Sequence, residues 1–216
     1  MLEIFVFFGN PLQLNPVYDT MIEKNFFRRL FMKKIAIFMA DGLEEIEGLT
    51  VVDILRRAEI DVTMVSISKK KEVTGSHNIK FQADKLFGEV NFEEIDGVVL
   101  PGGMPGTTNL MNHAGVKEII KKFATDEKLV SAICAAPSVL GQAGILEGKK
   151  ATCYPGFEDQ MTGAVPCSDK VVQDGNVITS RGMGTAIPFA LALTGYFLGQ
   201  EAADELGASI MYYFED

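Results

Sequence analysis

The residues from Leu129 to Pro137, Leu-Val-Ser-Ala-Ile-Cys-Ala-Ala-Pro, place Cys134 between an apolar segment typical of a buried strand and a helix start led by proline. Ala132 and Ala136 are the small residues that a nucleophile elbow needs two positions before and after its nucleophile. The unpaired N–H groups at such a helix N-terminus stabilise a thiolate, which predicts a pKa for Cys134 lowered from about 8.5 toward about 4–7. A buried, unreactive cysteine at a strand end explains the same residues equally well.

Segments typical of strands and of helices alternate from Lys33 to the C-terminal region. Short apolar runs predict strands, and apolar residues at helical spacing predict helices. The predicted strands cover residues 34–39, 61–67, 73–83 (a pair interrupted by a turn), 97–100, 129–133, 171–173 and 177–179. The predicted helices cover residues 44–58, 117–123, 136–143, 185–198 and 200–210. This alternation predicts an α/β fold with a mostly parallel sheet, helices on both faces, and ligands bound beyond the carboxyl ends of the strands.

The composition of the 216 residues is that of a globular domain, with 47% hydrophobic and 23% charged residues. A formal net charge of −9 disfavours binding to the phosphate backbone of nucleic acids. Residues 182–200 carry no charge, but their glycines and proline predict a buried helix rather than a membrane span. We therefore expect no nucleic-acid partner and no membrane association.

The cysteines and histidines offer no framework for disulfides or metals. Cys134, Cys153 and Cys167 are an odd number without C-x-x-C spacing, which favours free thiols in a reducing compartment and hence a cytoplasmic location. His77 and His113 lie far apart in the sequence and at no ligand-like spacing from the cysteines. We therefore expect no metal site.

The first 31 residues differ from the remainder of the chain. They contain an apolar run, two prolines and a basic-aromatic patch. A secretory signal is not supported, because no positive charge precedes the apolar run and no small-residue cleavage motif follows it. We interpret residues 1–31 as an N-terminal extension, or as an over-extended start upstream of Met32, and residues 33–209 as the folded domain.

A nucleophilic Cys134 needs a partner for proton transfer, and no histidine follows it in the chain. Glu47 ends an acid-rich stretch, residues 44–47, at the first strand-to-helix junction, which shares the carboxyl edge of a parallel sheet with the cysteine. Stabilisation of the positive end of a helix explains these acids without any chemistry. Gly102 and Gly103 end another strand, where they either offer backbone N–H groups to an anionic oxygen or form a plain tight turn.

Five phrases of the chain together resemble the DJ-1/ThiJ/PfpI family. They are residues 40–47 (ADGLEEIE), 53–58 (DILRRA), 100–103 (LPGG), 132–137 (AICAAP) and 179–185 (TSRGMGT). The resemblance implies a flavodoxin-like sandwich, usually a homodimer, with Cys134 as the nucleophile and Glu47 as a protonated glutamate bonded to its sulfur. It further implies backbone N–H groups from Gly103 and Ala135, and an arginine, Arg181, near the pocket that Gly102 also lines.

Two positions depart from the pattern of that family. Tyr154 stands where the deglycase branch has a histidine near the cysteine. It can donate a hydrogen bond in the substrate pocket but cannot act as a base near neutral pH. His77 replaces an arginine that typifies the strand-pair loop of the animal proteins. Both differences bear on the rate and the substrate of any aldehyde chemistry.

The residues and the resemblance favour a cysteine-dependent, cofactor-independent enzyme of the deglycase or glyoxalase type, acting on small 2-oxoaldehydes or on their early adducts in glycated proteins. The Cys134 thiolate would attack the aldehyde carbon, Glu47 would shuttle the proton, and backbone N–H groups would hold the oxyanion. One alternative is a redox-sensing or chaperone-like stress protein that uses oxidation of Cys134 to a sulfinate. Another is a thiamine-biosynthesis protein acting on a thiazole phosphate, for which the acidic composition offers no convincing phosphate cradle.

Overall fold

The computed structural model describes residues 32–212, so the predicted extension, residues 1–31, lies outside the described residues. The α-helices within that range are α1 (Glu45–Arg57), α2 (Gly106–Asn112), α3 (Ala114–Thr125), α4 (Pro137–Gln142), α5 (Ala186–Leu198) and α6 (Gln200–Ser209). The strands there are β1 (Lys34–Met39), β2 (Asp61–Ser66), β3 (Glu72–Thr74), β4 (Lys80–Gln82), β5 (Lys85–Leu86), β6 (Gly97–Leu100), β7 (Leu129–Ile133), β8 (Lys150–Ala151), β9 (Val165–Pro166), β10 (Val171–Asp174) and β11 (Val177–Ser180).

The central sheet of the described region has the strand order β10, β11, β7, β6, β1, β2, β5. Its neighbouring strands are parallel except at one edge, where β10 pairs antiparallel with β11. The turn between those two strands contains Gly175 at φ +62°, a left-handed conformation of the kind that the predicted hairpin requires. The predicted strand pair consists of β3 and β4. The mostly parallel α/β fold is therefore confirmed.

Side chains of the central strand β1 alternate between the two faces of the sheet. Ala36 and Phe38 pack with apolar residues of α2, α3 and α4, whereas Ile35 and Ile37 pack with those of α1 and α5. All four are fully buried, and complete burial of a large apolar side chain stabilises a fold by about 1.5–3 kcal/mol. Helices thus cover both faces, which explains why the central strands are continuously apolar rather than alternating.

The strand order changes direction next to β1. The chain passes from β1 to its neighbour β2 on one side, and the later strands β6 and β7 lie on the other side. In α/β sheets the crevice at such a switch point, beyond the carboxyl ends of the strands, is the usual ligand site. Glu47 lies in the helix that follows β1, Gly102 and Gly103 follow β6, and Cys134 follows β7. The fold therefore directs all four residues to the same edge.

The uncharged residues 182–200 include a turn, all of α5 and the first residue of α6, and α5 is a core helix as predicted. Phe189 and Leu193 of α5 are fully buried in the layer that α5 shares with α1. Within residues 32–212, no helix has the combined length and hydropathy that a membrane crossing would require.

Candidate active site

Cys134 occupies a strained backbone position directly after β7. Its φ is +65°, in the left-handed region that residues other than glycine seldom adopt. Adjacent segments hold this conformation: the N–H of Cys134 donates to the carbonyl of Ser180 at 3.0 Å, and its carbonyl accepts from the N–H of Tyr154 at 2.8 Å. Ala132 and Ala136 are fully buried on either side. The two small residues that indicate a nucleophile elbow in the sequence are therefore also positions where the structure leaves no room for a larger side chain.

Glu47 lies in the first turn of α1 with only 1% of its surface exposed. Its Oε2 accepts a hydrogen bond of 3.0 Å from the N–H of Gly102, and its carboxyl is hydrogen-bonded to the thiol of Cys134. A β-carbon added to Gly102 would lie 2.6 Å from the Cys134 Cβ and 2.7 Å from Glu47 Oε2. Glycine at position 102 therefore allows the carboxyl and the thiol to meet.

Burial is the largest influence on the acidity of both groups. It raises the pKa of Glu47 to about 7, against opposing effects of the hydrogen bonds from Cys134 and Gly102. It also raises the pKa of the Cys134 thiol to about 12, assisted by the charge of Glu47 and the hydrogen bond with it. The sequence-based prediction of a lowered thiol pKa is therefore wrong beside an ionised Glu47. The helix behind the cysteine, α4, has only six residues, and its influence does not offset burial.

The carboxyl and the thiol titrate as a pair because each charge affects the other. Repulsion by Glu47 opposes a thiolate only while the carboxyl is ionised. Loss of one proton from the pair leaves a single negative charge, which resides on the carboxylate or, with Glu47 neutral, on the sulfur. The N–H groups of Ala135 and Gly103 lower the pKa of the thiol and so favour the form with a thiolate and a neutral acid.

The predicted backbone donors lie where their N–H groups act on the sulfur of Cys134. Gly103 has φ +86°, and a β-carbon there would lie 2.5 Å from the carbonyl carbon of Leu43, so only glycine fits. The N–H of Gly102 donates to Glu47, so this glycine orients the carboxyl. That Gly102 also lines the substrate pocket remains a prediction.

Tyr154 and Arg181 have different surroundings. The half-exposed Tyr154 packs its ring over Gly182, where a β-carbon would lie 3.3 Å from Tyr154 and 3.8 Å from Glu47 Oε1. Arg181 donates to the carbonyl of Ser168 at 2.9 Å, and its charge acts on Cys153. The structure thus brings Tyr154 close to the acid, while a pocket role for Arg181 remains a prediction. Sequence reasoning missed Gly182, although it lies within the TSRGMGT phrase.

A second polar group, which we call the hairpin cluster, consists of Glu44, Glu45, Ser76 and His77. It joins the start of α1 to the loop between β3 and β4. His77 Nδ1 lies 3.0 Å from Glu45 Oε2 and 3.6 Å from Glu44 Oε2. Within residues 32–212, Glu44, Glu45 and His77 form a group in which one ligand atom of each lies within 4.8 Å of the others. The sequence does not show this group, because His77 lies 32 residues after Glu45, and the expectation of no metal site stays a prediction.

Glu45 is the structural anchor of the hairpin cluster, and Glu45→Gln should weaken the fold. Burial acts to raise the pKa of Glu45, but hydrogen bonds from its own N–H, the His77 ring and the N–H groups of His77 and Ile79 together lower it to about 2. The lowered pKa stabilises the folded state above about pH 4.5, and this stabilisation disappears as the pH falls toward 2. We expect Glu45→Gln to lose about 2–3 kcal/mol at pH 7 and much less at pH 3.

Urea denaturation at the two pH values measures this difference. Glu118→Gln, on the exposed face of α3, is a matched control. It also replaces a carboxylate by an amide, but at a position that is open to solvent rather than buried among backbone N–H groups. An equal loss of stability at both pH values in Glu45→Gln would contradict the assignment of an ionised anchor.

The fold and the site together define a class of protein: an α/β sandwich with a cysteine at a strand-to-helix elbow, partnered by a buried glutamate from the helix after the first strand. The chain belongs to the DJ-1/PfpI family, whose pattern matches residues 33–195. This confirms the family resemblance of the sequence phrases.

Two relatives show the range of the family. Protein DJ-1 homolog B of Arabidopsis thaliana is 39% identical over 181 residues, which cover 83% of this chain and 41% of that protein. The chain thus spans less than half the length of this plant relative. A protein of Pyrococcus abyssi that is named a deglycase is 37% identical over 150 residues, which cover 68% of this chain and 89% of the archaeal protein.

Solved structures show the same fold. The oxidized form of Toxoplasma gondii DJ-1 superposes with a TM-score of 0.81 at 34% identity, covering 84% of this chain and all of that chain. The topology described above is therefore that of a DJ-1 fold.

Proposed function

We propose that the protein is a cysteine-dependent enzyme of the deglycase or glyoxalase type that acts on small 2-oxoaldehydes or their early protein adducts. The observation that carries this proposal is the hydrogen bond between the Cys134 thiol and a buried carboxyl whose pKa is raised to about 7. A group that is half-protonated at neutral pH both takes and gives protons efficiently. Transfer of the thiol proton of Cys134 to this carboxyl gives the thiolate and the neutral acid that a nucleophilic attack needs.

The first step is addition of the Cys134 sulfur to the aldehyde carbon. The C–S bond forms, the carbonyl electron pair moves to oxygen, and the proton that Glu47 holds passes to that oxygen to give a hemithioacetal. The N–H groups of Gly103 and Ala135 stabilise the negative charge of the thiolate before attack and are available to the oxygen as charge develops there. Glu47 then moves the proton from C1 to the neighbouring carbonyl carbon by way of an enediol, so that C1 is oxidised to a thioester while C2 is reduced to an alcohol. Water hydrolyses the thioester, which releases a 2-hydroxy acid and returns the thiol of Cys134.

The Tyr154 hydroxyl can donate a hydrogen bond to a bound oxygen. In this scheme Glu47, which contacts the thiol of Cys134, carries the proton transfers. The name of the Pyrococcus abyssi relative supports deglycase-type chemistry for this family member. The free state of the three cysteines supports a reducing, cytoplasmic setting for a thiol-dependent reaction.

Turnover of methylglyoxal by the purified protein tests the proposal. Cys134→Ser should abolish turnover, whereas Cys167→Ser, which alters a thiol outside the site, should leave it unchanged. Turnover in the wild type that does not exceed that of Cys134→Ser would refute the enzymatic proposal.

A second candidate function is a redox sensor, and the partial exposure of Cys134 favours it. Peroxide can reach the sulfur, and the backbone N–H groups with a neutral Glu47 offer donors to sulfinate oxygens. The solved structure of Toxoplasma gondii DJ-1 to which this chain is similar is that of the oxidized protein. Measurable oxidation without turnover would favour this function over the enzyme.

The order in which the thiols oxidise tests the redox candidate. We expect mild peroxide to convert Cys134 to sulfinate before Cys153, which is buried, and before Cys167, which has no comparable acid partner. Peptide mass mapping across a peroxide titration gives the order. If Cys167 is modified first, the site does not direct oxidation to Cys134.

We also propose that the protein is a homodimer. Ile46 at the start of α1 is 47% exposed and Ile79 in the neighbouring loop is 54% exposed. The N–H of Ile79 donates to Glu45 at 3.4 Å, so the two apolar side chains lie on adjacent segments. Exposed apolar side chains that lie together favour an interface.

Light scattering should therefore give twice the mass of one chain at micromolar concentration. Ile79→Asp should shift the equilibrium to the monomer, while Leu198→Asp at the far end of α5, also an exposed apolar position, should not. A monomeric wild type would contradict the proposal.

A further inference from the structure

The hairpin cluster lies beside the active site and takes no part in the chemistry proposed above. We propose that it is a binding site for a divalent cation of the zinc type, ligated by the ring nitrogen, the two carboxylates and the hydroxyl of the cluster. The inference does not depend on the proposed enzymatic function, because it concerns side chains outside the pair of Cys134 and Glu47.

The donor atoms of the cluster already stand at separations close to those of a tetrahedral site. Nitrogen and oxygen ligands at about 2.0–2.1 Å from Zn²⁺ lie about 3.3–3.4 Å from one another. His77 Nδ1 is 3.0 Å from Glu45 Oε2 and 3.6 Å from Glu44 Oε2. Ser76 Oγ is 3.1 Å from His77 Nδ1 and 3.4 Å from each of the two carboxylate oxygens.

One ligand atom from each of Glu44, Glu45 and His77 lies within 4.8 Å of the other two. The three side chains can therefore surround one ion, with the Ser76 hydroxyl beside it. The two glutamates are consecutive at the start of α1, and the serine and histidine are consecutive in one loop. Two short segments thus supply all of the donors.

The charge of the cluster also suits a cation. The Glu45 side chain is 5% exposed and that of Glu44 is 16% exposed, and within the described residues both carboxylates pair with the same imidazole. Two carboxylates beside one imidazole leave at least one net negative charge, which a divalent ion would neutralise. A mixed imidazole and carboxylate set suits zinc better than magnesium.

The test uses the full chain carrying Cys134→Ser, so that a thiolate cannot bind the metal at the active site. Competition with a chromophoric chelator should show one Zn²⁺ per chain in this background. His77→Arg, which keeps a cation next to both carboxylates, should weaken Zn²⁺ binding by at least about 100-fold without lowering the melting temperature. His113→Asn serves as the matched control, since asparagine can replace this histidine as the N-cap of α3 and leaves the cluster intact.

Three outcomes would overturn the proposal: Zn²⁺ binding absent up to about millimolar concentration, Zn²⁺ binding retained in His77→Arg, or Zn²⁺ binding that depends on His113. Binding of Mg²⁺ as tight as that of Zn²⁺ would contradict ligation by the imidazole. Binding of one Zn²⁺ per chain that is lost in His77→Arg and retained in His113→Asn would support it.

Discussion

Glu47→Gln is expected to lower the turnover of methylglyoxal by about 10²- to 10⁴-fold, the usual contribution of one general acid or base. The glutamine still accepts from the N–H of Gly102, which lies 3.0 Å from the present Oε2, and can still donate to the sulfur of Cys134. It cannot take up or release a proton near neutral pH. The variant therefore preserves the shape of the site while removing the proton transfer.

The stability of the same variant distinguishes a catalytic role from a structural one. The pKa of Glu47 is raised from 4.5 to about 7, so the folded state gains stability from the neutral carboxyl below about pH 4.5. That stabilisation is lost as the pH rises through 7, because a charge must then form in a buried position. Glutamine avoids this loss, and at pH 8 we expect Glu47→Gln to be more stable than the wild type by about 1–3 kcal/mol.

Thermal melts at pH 5 and pH 8, together with steady-state rates, measure both effects. Inactivity combined with a higher melting temperature at pH 8 would place Glu47 in the reaction. Turnover of Glu47→Gln equal to that of the wild type would show that Glu47 takes no part in the reaction. A redox sensor would behave differently again: wild-type turnover would be negligible, and Glu47→Gln would still oxidise at Cys134.

The central strands and the elbow could be predicted from sequence because local rules and packing agree there. The stretch of residues 97–100 is wholly apolar and is ended by proline and glycine, and it forms β6 with the predicted bounds. Helix α2 was not predicted, since its sequence GTTNLMN contains weak helix formers and too few apolar residues to show a period. The two-residue strands β5, β8 and β9 are set by tertiary pairing and leave no periodic signal.

The site was predictable where its residues follow strand ends and unpredictable where acidity depends on burial. The positions of Glu47, Gly103 and Cys134 follow from parallel topology, which gathers carboxyl ends at one edge. The direction in which the thiol pKa shifts does not follow from the sequence. Nearby backbone N–H groups lower this pKa, whereas burial and the Glu47 carboxyl raise it, and only the structure shows that burial has the larger effect. The meeting of His77 with Glu44 and Glu45 depends on a hairpin folding back over α1, which no local pattern encodes.

Gly102→Ala tests whether the contact between the acid and the thiol is as tight as the structure indicates. The added methyl would lie 2.6 Å from the Cys134 Cβ, 2.7 Å from Glu47 Oε2 and 2.9 Å from the carbonyl oxygen of Ile133. Real β-carbons essentially never approach heavy atoms so closely, and two of these neighbours are fixed by backbone. The carboxyl and the cysteine must therefore move apart by several tenths of an ångström.

Overpacking of this kind costs about 1–3 kcal/mol of stability, and displacement of reacting groups on this scale can cost about 10²-fold in rate. We therefore expect Gly102→Ala to fold with a lower melting temperature and to lose most turnover of methylglyoxal. Gly88→Ala is the matched control, because a β-carbon there meets nothing within 4 Å and the residue has no left-handed φ, so stability should change by less than about 1 kcal/mol. Wild-type turnover in Gly102→Ala would show that Glu47 and Cys134 do not need to touch, because the methyl group takes the space in which they meet.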